Sequence, residues 1–109
     1  MSPRSPGLFA FGLFVMLLFG CAKRDAEMHG GEVFEKHCAE CHEAANPDLL
    51  KQPPKLRHLF VNKTLPSGAL ADDTQLRTTI LQGKGTMPAF DRRLRDEDLA
   101  DLLKYLHTL

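Results

Sequence analysis

The sequence predicts an all-α fold with three main helices and long loops, on the strength of two observations. Apolar residues recur at helical spacing after residue 30 and again from Leu99 to Leu109, and no segment shows the alternation of a β-strand. Residues 43–71 carry four prolines and no sustained period, which indicates a long loop. The chain has 109 residues, enough for one domain.

Residues 1–20 are predicted to be a signal peptide. Arg4 supplies the early positive charge, and the apolar run Leu8–Phe19 is too short for a typical membrane-spanning helix. The run ends in Gly20-Cys21, as in a bacterial lipoprotein signal, although Phe19 is larger than usual there. We therefore expect lipidation of Cys21 after cleavage. An uncleaved membrane anchor and cleavage that leaves a free thiol are the alternatives, and all three interpretations export the domain.

Residues 21–29 are predicted to be the lipidated cysteine followed by a polar tether, because their sequence is polar and aperiodic. The domain proper is expected at residues 30–109. Its first helix is predicted to begin at Gly30, with a single face that carries Val33, Phe34, His37, Cys38 and Cys41.

Two further helices are predicted in the second half of the chain. One runs from about Asp73 to Gln82, with possible capping oxygens at its start and Gly83 at its end. The other begins with the acidic residues 96–98, which suit the positive end of a helix dipole. Five leucines then follow at helical spacing: Leu99, Leu102, Leu103, Leu106 and Leu109.

The central motif is C-x-x-C-H, formed by Cys38, Cys41 and His42, which is the pattern of covalent haem attachment. Residues at i, i+3 and i+4 share one helical face, so two thiols can bond one edge of a haem while the imidazole reaches the iron. Three alternatives stay open at this point. They are a thioredoxin-like redox pair, which lacks its βαβ context, a zinc site, which lacks a second ligand pair, and a structural disulfide.

Charge and size restrict the function. The chain has 14 basic and 14 acidic residues, and without residues 1–20 one arginine fewer, so nucleic-acid binding is not expected. A core in so short a chain rarely supplies more than about 3–5 kcal/mol, and such domains usually need a cofactor, metal or disulfides. Three cysteines do not make a disulfide scaffold, whereas a large apolar cofactor would complete the core.

With this motif, residues 30–109 resemble a class I cytochrome c. The resemblance implies a fold wrapped around one covalently bound haem c. It also implies that Met87, which precedes Pro88 and follows His42 by 45 residues, is the sixth iron ligand opposite His42. Taken alone, Met87 is better explained as a core side chain. His58 is a weaker alternative ligand, and His29, His37 and His107 are expected to be solvated.

The resemblance extends to packing and to hydrogen bonding around the iron ligand. Gly30 and Phe34 correspond to the first-helix residues that cross closely over the last helix, where Leu102 and Tyr105 are their partners. The segment after Pro53 resembles a Pro-x-Leu segment, which implies that the carbonyl of Pro54 accepts the Nδ1 proton of His42.

The resemblance implies outer-sphere electron transfer by a non-enzymatic carrier in a respiratory or related chain. The expected partners are redox proteins such as a membrane oxidase, reductase or dehydrogenase. We expect an extracytoplasmic or periplasmic monomer anchored to the membrane through Cys21. A haem-based gas sensor and an electron-entry subunit of a larger oxidoreductase complex are the alternatives.

Overall fold

The computed structural model describes residues 7–44 and 48–109, so Arg4 and Pro47 lie outside the described residues. Four α-helices follow in chain order: α1 at Gly7–His37, α2 at Ala39–His42, α3 at Asp73–Gln82 and α4 at Asp96–Leu106. Within the described ranges the chain forms isolated β-bridges but no strand. The predicted all-α fold, with helices joined by long loops, is confirmed.

The helix α1 begins far earlier than predicted and runs for 31 residues. Residues 22–29, expected to be an aperiodic tether, continue the helix because they are mostly good helix formers and contain no glycine or proline before Gly30. Lys23 and Glu27 add an ion pair one turn apart, at 3.7 Å. The signal-peptide boundary after residue 20 stays a prediction.

No helix among the described residues combines the length and the apolar character that crossing a membrane requires.

The helix α1 also ends earlier than the sequence pattern suggested. It stops at His37, and Cys38, with φ −123° and ψ −38°, separates it from the single turn of α2. The break is slight, because the Cys38 N–H still donates to the Phe34 carbonyl at 2.8 Å. As a result, the C-x-x-C-H motif occupies its own short helix and not the end of α1.

The helices α3 and α4 have the predicted positions. The Asp72 carboxylate caps α3 by accepting from the Gln75 N–H at 2.8 Å, and Gly83 ends α3 with φ +73°. The Asp98 carboxylate accepts from both the backbone N–H and the guanidinium of Arg95 at the start of α4. These bonds lower the pKa of Asp98 to about 2.

The helices α1 and α4 cross at Gly30. A Cβ atom on Gly30 would lie 2.0 Å from the Asp101 carbonyl oxygen, so only glycine permits this approach. Beside the crossing, the rings of Phe34 and Tyr105 lie 5.4 Å apart. The predicted close crossing is confirmed.

The apolar core extends from this crossing toward α3 and the loops. It consists of Val33, Phe34, Leu59, Leu65, Leu76, Ile80, Phe90, Leu94, Leu99, Leu102, Leu103 and Leu106. The described part of the chain buries no polar or charged side chain in it.

Candidate cofactor site

The short helix α2 gathers the three residues of the C-x-x-C-H motif on one turn. The Cys38 carbonyl accepts from the N–H of Cys41 at 3.2 Å and from the N–H of His42 at 2.9 Å. Cys38 packs against the apolar core, whereas Cys41 is exposed. The turn therefore holds two thiols and an imidazole at the edge of the core.

The thiols of Cys38 and Cys41 are free, so the structure contains no disulfide between them. The pKa of the Cys38 thiol is raised to about 11, mainly because the thiol is buried and to a smaller extent because Cys41 lies nearby. Within the described residues, His, Cys, Asp and Glu side chains do not form a group of three suited to a metal ion. The described part of the chain thus shows neither that disulfide nor a three-residue metal cluster.

The ring of His42 is oriented by a loop residue twelve positions later in the chain. His42 Nδ1 lies 2.7 Å from the carbonyl oxygen of Pro54. Because a carbonyl can only accept, Nδ1 carries the proton and Nε2 keeps its lone pair for a metal. This is the bond that the family resemblance implies for Pro54, and it leaves His42 in the tautomer that an iron ligand needs.

A second loop contact holds the end of α2, and sequence reasoning missed it. The Lys55 ammonium donates to the carbonyl of Glu43, the residue that caps α2. The sequence alone identified no partner for Lys55. The sequence contains one weak indication of this contact. Residue 47 is a proline, so it has no backbone N–H to donate to the Glu43 carbonyl, as residue 47 of a continuing helix would.

Met87 lies in a tight turn after α3. Lys84 and Met87 exchange two backbone hydrogen bonds, at 3.1 and 3.0 Å. Gly83 and Gly85 adopt φ values of +73° and +58°, which favour glycine. The half-buried Met87 side chain packs against the same apolar core that Cys38 contacts. The turn thus brings a thioether to the cluster that the C-x-x-C-H turn also borders.

The other histidines have structural contacts. His37 packs edge-on against Phe90, with ring centroids 6.1 Å apart. His58 is exposed and donates its backbone N–H to the Leu109 carbonyl at 2.9 Å. All three histidines that were expected to be solvated therefore have partners: besides the half-buried His37, His29 pairs with Asp98 and Asp101, and His107 pairs with Asp73.

The donor set suits a covalently bound haem. Two free thiols and an imidazole with an available Nε2 share one turn, and a thioether reaches the same core from a separate loop. The surrounding core is wholly apolar in the described residues, as a porphyrin requires. Cys38, Cys41, His42 and Met87 would hold such a group, and Pro54 would orient the imidazole.

Comparisons with known proteins agree with this chemistry. The family model of cytochrome c oxidase, cbb3-type, subunit III, matches residues 25–106. Cytochrome c6 of Diacronema lutheri is 30% identical, in an alignment that covers 72% of this chain and 89% of the relative's length. Cytochrome c6 of Pyropia yezoensis is 30% identical over 91% and 86%, respectively. Cytochrome c6 of Pyropia tenera is 32% identical over 74% and 91%. No solved structure matches the chain.

Proposed function

The chain belongs to the cytochrome c family, and from this membership we propose how it carries electrons: on iron ligated by His42 and Met87, in a haem bonded to Cys38 and Cys41. The family membership makes the protein an electron carrier with one covalent haem c, and not an enzyme. The ligand pair, the attachment residues and the place of action belong to the proposal.

The observation that supports the ligand assignment best is the hydrogen bond from His42 Nδ1 to the Pro54 carbonyl, at 2.7 Å. It fixes the tautomer and the ring plane, and it increases the electron donation of Nε2. When bound, the haem supplies a one-electron Fe(III)/Fe(II) couple. His42 and Met87 would stay bound to the iron in both oxidation states, and the apolar core would keep water away from it.

Each side chain of the site has a distinct role in this proposal. Cys38 and Cys41 fix the haem edge by thioether bonds, which keeps the cofactor in a small exported domain. Met87 supplies a soft thioether that favours ferrous iron and so raises the reduction potential. The apolar core, which includes Phe90 and Ile80, would exclude water from the bound haem and so raise its potential further.

The attachment is tested by a pyridine haemochrome spectrum together with the intact mass of the exported protein. We expect the spectrum of a haem with both vinyl groups saturated, and a mass that includes one haem. Cys38→Ala and Cys41→Ala should each leave one vinyl group unsaturated and shift that spectrum. A colourless, folded protein without iron would contradict the proposal.

Replacing Met87 by alanine tests the sixth ligand. Met87→Ala should keep the haem attached but open one iron position, so the ferric spectrum becomes high-spin and the potential falls. The spectrum and a redox titration measure both effects. An unchanged low-spin ferric spectrum would show that another residue, such as His58, is the ligand.

A gas-binding function is the first rival, and carbon monoxide separates it from electron transfer. If Met87 is a firm ligand, the reduced protein should react slowly and incompletely with carbon monoxide, while Met87→Ala should react at once. A prompt and complete spectral shift in the unaltered protein would favour a ligand-binding function.

The place of action is proposed to be an extracytoplasmic or periplasmic membrane surface, reached by export and lipidation of Cys21. The apolar run of residues 8–19 and the exposed Cys21 that follows it support this. The description of the matching family model, an oxidase subunit, favours a second candidate, an electron-entry subunit of such a complex. Purification in a mild detergent tests it, since a subunit should elute with an oxidase and a free carrier alone.

A further inference from the structure

We propose that Lys55 is a positioning residue for the iron ligand: it holds the end of α2 against the loop, so that the Pro54 carbonyl stays bonded to His42. The inference rests on the proposed function, in which His42 binds the iron. It adds a residue whose role neither the motif nor the family resemblance assigns. Lys55 touches neither the iron nor the haem in this proposal, and acts only through its neighbours.

Two pairs of adjacent residues form the contact. His42 Nδ1 donates to the Pro54 carbonyl at 2.7 Å. The next residue of the loop, Lys55, donates its ammonium to the carbonyl of Glu43, the residue that follows His42 and caps α2. The two hydrogen bonds run in opposite directions between the same two segments. Together they close a ring that restricts sliding and rotation of the loop relative to α2.

Lys55 gives the Glu43 carbonyl a donor from outside the helix. In a continuing α-helix it would accept from the N–H of residue 47, but residue 47 is a proline and has no N–H. A lysine side chain near a helix C-terminus can supply such a bond. Lys55 makes this bond from the loop, and the contact thereby also ties the loop to the helix.

Burial does not hold Pro54 in place, which is why the contact with Lys55 matters. Pro54, Lys55 and their neighbour Gln52 are exposed, and the nearest residue packed against the core is the half-buried Leu56. Water can therefore compete for the His42 Nδ1 proton whenever the loop moves away. The Lys55–Glu43 bond opposes that movement directly beside the exposed hydrogen bond.

The test is the exchange of the His42 Nδ1 proton with solvent, followed by NMR in the full-length, haem-loaded, reduced protein. Lys55→Met removes the donor but keeps the length of the side chain, and we expect roughly tenfold faster exchange, the size of one charge-assisted hydrogen bond to an exposed group. Lys55→Arg keeps a cationic donor and should restore most of the protection.

Arg57→Met is the matched control. It removes one positive charge from the same loop, and Arg57 has no hydrogen bond or ion pair among the described residues. Arg57→Met should therefore leave the exchange rate unchanged. Both methionine variants should shift the reduction potential through lost charge, and Lys55→Met should shift it by a different amount, because it also weakens the bond to His42.

The outcomes separate the two proposals. Equal exchange rates in the unaltered protein and in Lys55→Met, or equal acceleration in Arg57→Met, would overturn the role of Lys55. If His42 shows no signals of an iron-bound imidazole in the unaltered protein, the proposed function fails instead. Should Lys55→Met not fold, Lys55→Gln keeps a neutral donor on a shorter chain and should give an intermediate rate, and an unchanged rate would again overturn the role.

Discussion

At the scale of single residues, Gly83 shapes the turn that presents Met87. Its backbone, with φ +73° and ψ +173°, lies in a region that essentially only glycine occupies. A Cβ atom there would also lie 2.6 Å from the Met87 carbonyl oxygen and 2.8 Å from the Ala89 nitrogen. Gly83 thus ends α3 and lets the backbone of residues 87–89 pass directly over the C-terminal end of that helix.

Gly83→Ala is expected to destabilise the haem-loaded protein by about 3 kcal/mol, since backbone strain and a clash with main-chain atoms add. Gly85→Ala is the matched control in the same turn, because its φ is +58° but no atom lies near its missing Cβ. The control should cost only about 1–2 kcal/mol. Urea unfolding followed by circular dichroism measures both, and equal losses would show that the close approach is unimportant.

Residue-level chemistry was partly readable from the sequence. The C-x-x-C-H motif is local, so its spacing alone placed two thiols and an imidazole on one turn. The partner of Lys55 could not be predicted, because it depends on how the loop packs back against α2 twelve residues later. The pairing of His29 with Asp101 joins residues 72 positions apart, and no local pattern announces it.

At the scale of helices, the crossing of α1 and α4 depends on Gly30. Alanine in a helix interior is normally more favourable than glycine by roughly 0.5–1 kcal/mol. At Gly30 the sign should reverse, because the added Cβ would meet the backbone carbonyl of Asp101, which cannot move without shifting α4. The preference for glycine here is therefore a packing effect and not a propensity effect.

Gly30→Ala is expected to lower the free energy of unfolding by about 2–3 kcal/mol, as overpacked sites do. Gly31→Ala is its matched control: the Cβ would meet only the Tyr105 ring, at 3.2 Å, and a side chain can yield. Urea unfolding of the two haem-loaded variants compares them. A stabilising effect of Gly30→Ala would mean that the helices do not approach as described.

An ion-pair cluster at the same crossing joins α1 to α4. His29 lies 2.9 Å from Asp101 and 3.3 Å from Asp98, and Glu32 adds negative charge from its own helix. The hydrogen bond to Asp101 raises the pKa of His29, and the same bond lowers the pKa of Asp101. Because the group is exposed to solvent, its contribution should be small and sensitive to salt.

The cluster predicts a pH window for stability. The raised pKa of His29 means that its contribution is complete below the unfolded value, near pH 6.5, and is lost as pH rises through the folded pKa. The lowered pKa of Asp101 gives a contribution that is complete above about pH 4 and lost in acid. The contribution of the His29–Asp101 pair to the free energy of unfolding should therefore be greatest between about pH 4 and 6.5.

His29→Gln isolates this effect. The stability difference between the unaltered protein and His29→Gln, measured by urea unfolding from pH 4.5 to 9, should shrink as pH rises above about 6.5. Raising the salt concentration should reduce the difference at low pH. A difference that is constant across this range would show that the ion pair contributes nothing through protonation.

Helix boundaries show why local signals succeed in one place and fail in another. The helices α3 and α4 were predictable, since Asp72 and Gly83 frame one, and acidic residues followed by spaced leucines define the other. Residues 22–29 have helix-forming side chains without an apolar stripe, and their helix continues into residues that pack on α4. A prediction based on apolar periodicity cannot detect a helical segment that forms because the adjoining residues of the same helix pack on α4.

At the scale of the whole molecule, a small core is divided among helices and loops. Leu59 and Leu65 come from the long loop. The His58 N–H of that loop donates to the carbonyl of Leu109, three residues after the end of α4. The prediction that so short a domain needs a cofactor follows from surface scaling and not from any motif. The apolar core and the family membership are consistent with a haem that completes it.

The proposed lipid anchor at Cys21 can be tested by removing its thiol. Cys21 is exposed on α1, nine residues before Gly30, so along the helix it lies only about 14 Å from the crossing with α4. If Cys21 carries the lipid, Cys21→Ser should move nearly all the haem-loaded protein from the membrane fraction to the periplasmic fraction. Haem staining and the intact mass of each fraction measure this. Membrane retention of Cys21→Ser, with residues 1–20 still present in its mass, would identify an uncleaved N-terminal helix as the anchor.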